Sequence, residues 1–225
     1  TFFDNIKRLD AAHYLIDDFQ KEKIECIKKW YFLEKNIADL NDSSQIHEEL
    51  EYKIDRAIKR HLVSDVKIGL NISGGLDSAT LVHFANKYIS SISTFTQEYE
   101  GYSEKEWIDK FSNNYSLKST FINLKQKNII DRLDEAIKYQ DEPFGGLFVI
   151  GYSHLYSEAQ HNNITVLLDG NGIDEIFLGY QKYHLEYLKD NLENETLLRD
   201  YCNFWKTDLS NLKKQIEQIS KNSNI

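Results

Sequence analysis

Between residues 66 and 168, strand-length apolar runs alternate with stretches patterned as helices, and this alternation restricts the chain to an α/β architecture. Strands are expected at 66–72, 91–97, 117–124 and 164–168, and helices at 77–87, 103–113, 127–139 and about 148–161. Strands of this kind, apolar toward both faces, belong to a parallel sheet sandwiched between helices, which binds its ligands at the carboxyl ends of the strands. Ahead of this block, Ile46, Leu50, Ile54 and Ile58 recur every fourth residue, so 43–61 reads as an amphipathic helix with Ser43 or Ser44 as its N-cap. Residues 1–40 hold two short extended stretches, 13–16 and 28–32, separated by a charged segment that reads as a hairpin or connector. Beyond residue 180 the pattern is helical and polar through residue 225.

A chain of 225 residues has the length of one large domain with an appendage. Its 27 basic and 36 acidic residues leave a net charge of −9, and no window interleaves Lys and Arg with aromatics, so no nucleic-acid partner is expected. Trp30, Trp107 and Trp205 are accordingly read as packing groups rather than base-stacking platforms. Cys26 and Cys202 are far apart and read as reduced thiols. The seven histidines form no i, i+4 metal-ligand pair. Apolar runs such as 147–150 and 165–168 fall far short of the roughly 20 residues of a membrane span, and no signal peptide is read in the first turns of the chain. A soluble cytoplasmic protein is expected, with a start at Thr1 that reads as a cut end.

Seven of ten glycines fall in three loops: Gly74 and Gly75, Gly145 and Gly146, and Gly170, Gly172 and Gly179. Such clusters allow close backbone approach to a ligand. The first loop, Ser73-Gly74-Gly75-Leu76-Asp77-Ser78, follows a strand and opens a helix, where backbone N–H groups and the helix dipole favour a phosphate. It lacks the lysine of a Walker A loop and carries an aspartate instead. A carboxylate beside phosphates calls for an intervening divalent cation, with Mg²⁺ the natural choice.

That hexapeptide resembles the S-G-G-x-D-S pyrophosphate loop of the N-type ATP pyrophosphatases, the PP-loop superfamily with an adenine nucleotide alpha hydrolase-like fold. A second segment selects within it. Asp169-Gly170-Asn171-Gly172-Ile173-Asp174-Glu175-Ile176-Phe177-Leu178-Gly179-Tyr180 is similar to the S-G-[ED]-G-x-D-E-x-F-x-G-Y loop of the glutamine-hydrolysing asparagine synthetase family. Asp141-Glu142-Pro143-Phe144 and Tyr102-Ser103-Glu104 resemble further motifs of its synthetase domain, and the segment from Thr1 to Leu9, with His13-Tyr14-Leu15, resembles the end of its glutaminase domain.

The resemblance implies that 1–40 is the tail of an upstream glutaminase domain with its connector, and that 41–225 is the ATP-dependent synthetase domain, shortened at its C-terminus. It implies adenylation of a carboxylate, aspartate first among candidates, and attack by ammonia derived from glutamine. Asp77 and Asp174 are placed as Mg²⁺ ligands, Ser73, Gly74, Gly75 and Ser78 on the pyrophosphate, and Ile72, Gln97, Asp169 and Gly170 on adenosine. Asp77, Asp174, Asn171 and Glu175 fall at the reacting centre. The family also implies a homodimer.

Four positions depart from the pattern. Asn171 stands where an acid is usual, and an amide cannot serve as a general base. Asp169 replaces a serine, Leu178 a glycine and Gln97 an aliphatic residue. Two other readings therefore stay open: the same chemistry on a sugar acid, peptide or β-lactam precursor, and an ATP-binding regulatory domain with impaired turnover.

Overall fold

The computed structural model describes residues 1–33, 42–101, 103–124, 129–146 and 148–222. The expected domain boundary at 40/41, Tyr102, the start of the helix expected at 127 and Leu147 all lie outside the described residues. Two antiparallel strands, β1 (His13–Asp18) and β2 (Lys23–Lys29), form a hairpin with a register shift between Ile16 and Asp17; the second strand lies mostly in the charged segment ahead of the expected stretch 28–32, because pairing with β1 and not apolar content sets it. Leu15, Ile16, Ile24 and Ile27 on these strands all remain exposed.

Helix α1 spans Ser43–His61. Its N-cap is Asp42, not Ser43 or Ser44: the Asp42 carboxylate accepts from Ser44 N at 2.9 Å and from Ser44 Oγ at 2.8 Å. An ionised acceptor at a helix start outcompetes a hydroxyl one residue further in.

The remaining elements alternate as expected. In chain order they are β3 (Ile68–Asn71), α2 (Leu76–Ala85), β4 (Ile92–Tyr99), α3 (Lys105–Ser112), β5 (Leu117–Leu124), α4 (Ile129–Gln140), α5 (Phe148–His161) and β6 (Val166–Leu168). The four strands form one parallel sheet in the order β5-β4-β3-β6. Helices cover both faces. On one, Leu70, Ile72 and Ile92 pack with Ile58 of α1, Leu81, Val82, Phe84 and Ala85 of α2 and Ile108 of α3. On the other, Phe95 and Ile122 meet Leu155 and Ala159 of α5, with Ile164. From β3 the chain moves outward to β4 and β5, then returns through α4 and α5 to lay β6 on the opposite side of β3. The strand order thus reverses beside β3, which is where a sheet of this type opens a crevice.

Past Tyr180 the chain folds as α7 (Gln181–Lys189), α8 (Glu195–Trp205) and α9 (Leu209–Asn222), after a single turn, α6 (Ile173–Ile176). The expected polar helical part is present, and its helices enclose a core of their own. Leu185, Leu188, Leu198, Tyr201, Cys202, Leu212 and Ile216 make a separate core. Leu212 is fully buried at its centre. Leu212→Ala is expected to destabilise this cluster by about 2–5 kcal/mol through the cavity it leaves; limited proteolysis should then cut after residue 180 while the sheet stays protected. The three tryptophans lie at the surface, 38% to 67% exposed, so none of them is a core residue. Among the described residues, no helix is long and apolar enough to cross a membrane.

Candidate active site

Ser78 shapes the loop between β3 and α2. Its Oγ donates to Ser73 O at 2.8 Å and accepts from Ser73 N at 3.0 Å, closing the turn on itself. Gly75, the N-cap of α2, offers no capping side chain, so the N–H groups of the first turn face outward without a side-chain acceptor. This is the arrangement that binds an anion.

The second loop leaves β6 next door. Asn71, the last residue of β3, donates its amide to Asp169 Oδ2 at 2.5 Å, and Asn171 N donates to Asp169 Oδ1 at 3.1 Å. Two glycines let the backbones come together. A Cβ on Gly170 would lie 3.1 Å from Asp77 Cβ and 3.3 Å from both Asp77 C and Ser78 N, so the two loops touch at main-chain distance. A Cβ on Gly179 would fall on the Asp174 carboxylate, which is seated against that glycine while Gly179 N donates to Asp174 O at 2.8 Å. Leu178 has φ +59, a left-handed conformation costing an L residue about 1–2 kcal/mol.

A cleft of about 190 Å³ forms between the two loops. It gathers Ser73, Asp77, Ser78, Asp169, Gly170, Asn171, Asp174 and Glu175 from the sequence expectations, together with Tyr180 and Tyr152. Ile72, Gly74 and Gly75 line a smaller recess of about 140 Å³ on the other side of the loop, against Trp107 and Phe111. The main-chain groups of Ile72 are already bonded: its N–H to Phe95 O at 2.9 Å and its carbonyl to Thr96 Oγ1 at 3.0 Å. Gln97 lines neither space; its side chain lies beneath Gly151 of α5, with Nε2 buried and unpartnered. The glycine loop of Gly145 and Gly146 does not line the cleft either. It joins two helices rather than a strand to a helix, and its Glu142 pairs with Arg8 at 2.6 Å.

Sequence reasoning missed Tyr152 and Tyr156. They sit one turn apart on α5 with ring centroids 5.9 Å apart. Burial and the negative charge of Asp169 raise both phenols above their ordinary range, and Tyr152 lines the cleft with Asp169 and Asn171. The available signal is their i, i+4 spacing on a helix whose other face is apolar.

Carboxylate charge dominates the cleft. Burial, then the proximity of Asp174 and Glu175, raises the Asp77 carboxyl above its ordinary value. This outweighs the first-turn position of Asp77, which by itself favours the anion. Tyr180 donates to Glu175 Oε1 at 3.2 Å, and the Glu175 charge holds its phenol up as well. Hard oxygen donors that repel one another fit a divalent cation of the Mg²⁺ type. Among the described residues no group of three or more His, Cys, Asp or Glu side chains is placed to hold a metal ion by itself; Mg²⁺ needs only one or two carboxylates beside phosphate oxygens and water.

A sequence model of the asparagine synthase family matches residues 49–223, a stretch that contains both loops and every strand of the sheet. The chain belongs to the asparagine synthase family. One similar relative is the putative asparagine synthetase [glutamine-hydrolyzing] 2 of Methanocaldococcus jannaschii, 30% identical over 195 residues that cover 84% of this chain and 37% of that protein. Asparagine synthetase [glutamine-hydrolyzing] 3 of Bacillus subtilis is 26% identical, covering 89% of this chain and 38% of that protein. This family member thus spans little more than a third of the length of these relatives. Among solved structures, the NH3-dependent NAD synthetase of Campylobacter jejuni aligns over 82% of this chain and 96% of its own, at 18% identity and a TM-score of 0.40.

Proposed function

We propose that this chain is the synthetase part of an ATP-dependent carbon-nitrogen ligase, with residues 1–40 the end of a glutaminase domain and its connector and 41–225 the ligase domain. The observation that carries the reading is the meeting of Asp77 with Asp174 and Glu175 beside an uncapped helix start. A carboxylate oxygen of the acceptor attacks the α-phosphorus of ATP. The new C–O–P linkage forms as the bond from the α-phosphorus to the bridging oxygen breaks, and pyrophosphate departs with the electron pair. Ammonia then attacks the acyl carbon, the bond to AMP breaks, and the nitrogen gives up a proton to leave the amide.

The residues divide this work. N–H groups at the start of α2, with Ser73 and Ser78, hold the pyrophosphate portion; Gly74 and Gly75 let it approach the main chain. Ile72, Gln97, Asp169 and Gly170 are assigned to the adenosine side, with Gln97 needing to turn out from under Gly151 to take part. Asp77 and Asp174 would hold Mg²⁺, which supplies neutralising charge for the departing pyrophosphate. Asn171 and Glu175 are assigned to the acyl side of the reacting centre. The relatives' names make aspartate the first acceptor to test and glutamine the nitrogen source.

Exchange of labelled pyrophosphate into ATP, with Mg²⁺ and aspartate, tests the reading on the full-length protein. Acceptor-dependent exchange is expected, because adenylation is reversible before ammonia attacks. Tight ATP binding without exchange for any acid would leave a regulatory nucleotide-binding domain in its place. A second reading, another acceptor with unchanged chemistry, is favoured by the neutral amide of Asn171 and the negative charge of Asp169 at the head of the cleft.

A further inference from the structure

A second and larger cleft, about 930 Å³, runs between α4 and α5 and shares Tyr152 and Asn171 with the reaction cleft. We propose that it holds the body of the acceptor, and that this acceptor is a polyhydroxylated acid of the uronic-acid class, free or carried on a nucleotide, rather than aspartate. The inference rests on the adenylating reading above.

Size argues first. The cleft lies at the upper end of the range for drug-sized ligands, roughly 300–1,000 Å³, far beyond what one small amino acid fills. From Tyr152 to Gln160 it follows α5 for about 12 Å, at 1.5 Å per residue.

Its chemistry argues second. Tyr152 and Tyr156 form an aromatic wall, and Tyr139 of α4 lines the same space. Flat rings of this kind take the C–H face of a sugar. Gln140, Gln160 and Asn163 line it too, residues whose amides both donate and accept, as hydroxyls require. Among the described lining residues the one charged side chain is Glu135, which is paired with Arg132 at 3.4 Å. Neither cleft has a lysine or arginine among its described lining residues. Aspartate activated on its side chain would bring a second carboxylate, beside its ammonium, toward Asp169, and no described lining residue offers that carboxylate a cation; a free uronate brings only the carboxylate that reacts.

The test uses the full-length protein, with glucuronate, UDP-glucuronate and aspartate as acceptors in pyrophosphate exchange, and saturation-transfer NMR of each sugar acid without ATP. Tyr156 is 56% exposed, so Tyr156→Ala removes no core packing, and an unchanged Tm checks this. The expected result is exchange driven by a uronate, whose KM rises about tenfold in Tyr156→Ala, the equivalent of ~1.4 kcal/mol, with kcat nearly unchanged and saturation transfer to the sugar protons abolished. Exchange driven by aspartate alone, with the same KM in Tyr156→Ala, overturns the cleft assignment and keeps the adenylating reading. Uronate binding that Tyr156→Ala weakens, without exchange for any acid, removes the adenylating reading and keeps the cleft. No uronate binding and no exchange removes both.

Discussion

Asp77→Asn should lower pyrophosphate exchange about 10²–10³-fold, the scale on which one lost electrostatic group at a reacting centre is felt, while the folded protein becomes no less stable. The two effects have one cause. Asp77 shares its cleft with Asp174 and Glu175, and burial first, then their charges, raise its carboxyl above the ordinary value. A raised acid binds more protons folded than unfolded, so its contribution to stability is complete when it is protonated and is lost as pH rises from below 3.8 through the raised folded value. Above that window the ionised group opposes folding, and the isosteric amide removes the opposition. Thermal melts at pH 7 should therefore give Asp77→Asn a Tm equal to or above the parent, with the difference vanishing under acid. A lower Tm at neutral pH would mean that the carboxylate stabilises this loop and that the repulsion is already relieved.

Gly170→Ala should damage both properties. The added methyl meets Asp77 Cβ at 3.1 Å and the main chain of Asp77 and Ser78 at 3.3 Å, and backbone at the start of α2 cannot move aside as a flexible side chain would. Overpacking of this kind costs about 1–3 kcal/mol. For a domain of this size that is a Tm loss of roughly 3–10 °C. Exchange should fall as well, since wedging the loops apart separates Asp77 from Asp174. Unchanged melting together with full exchange would show that the loops stand further apart than the geometry places them.

The alternation of β3 to β6 with their helices is legible because each element carries its own local signal, and β5 and α5 have the expected boundaries. Asp42 is hard to single out because two serines beside it also cap helices, and only geometry shows which oxygen reaches Ser44 N. The core of α7 to α9 is readable in principle, since Leu198, Tyr201 and Cys202 recur at helical spacing; the surrounding charge hides it. At the site, the two glycine-rich loops mark themselves in the sequence, with Asp77 suggested by its place in a strand-to-helix loop and Asp174 by the resemblance of its segment. Tyr152 cannot be read in this way, since a helix residue shows its partner only once α5 is laid against β6 and its loop.

One property of the sheet reaches beyond catalysis. The two loops of the cleft are separated by some ninety residues of chain, yet they adjoin through β3 and β6, and β6 is a three-residue strand on the sheet edge, the last to be made. Their contact is thus among the most non-local in the molecule, of the sort that closes late because chain entropy must be lost before it is rewarded. A nascent chain that has emerged only as far as β5 already carries the whole Ser73–Ser78 loop but none of its counterpart. The cleft itself therefore exists only once β6 is laid beside β3, whatever the state of the first loop.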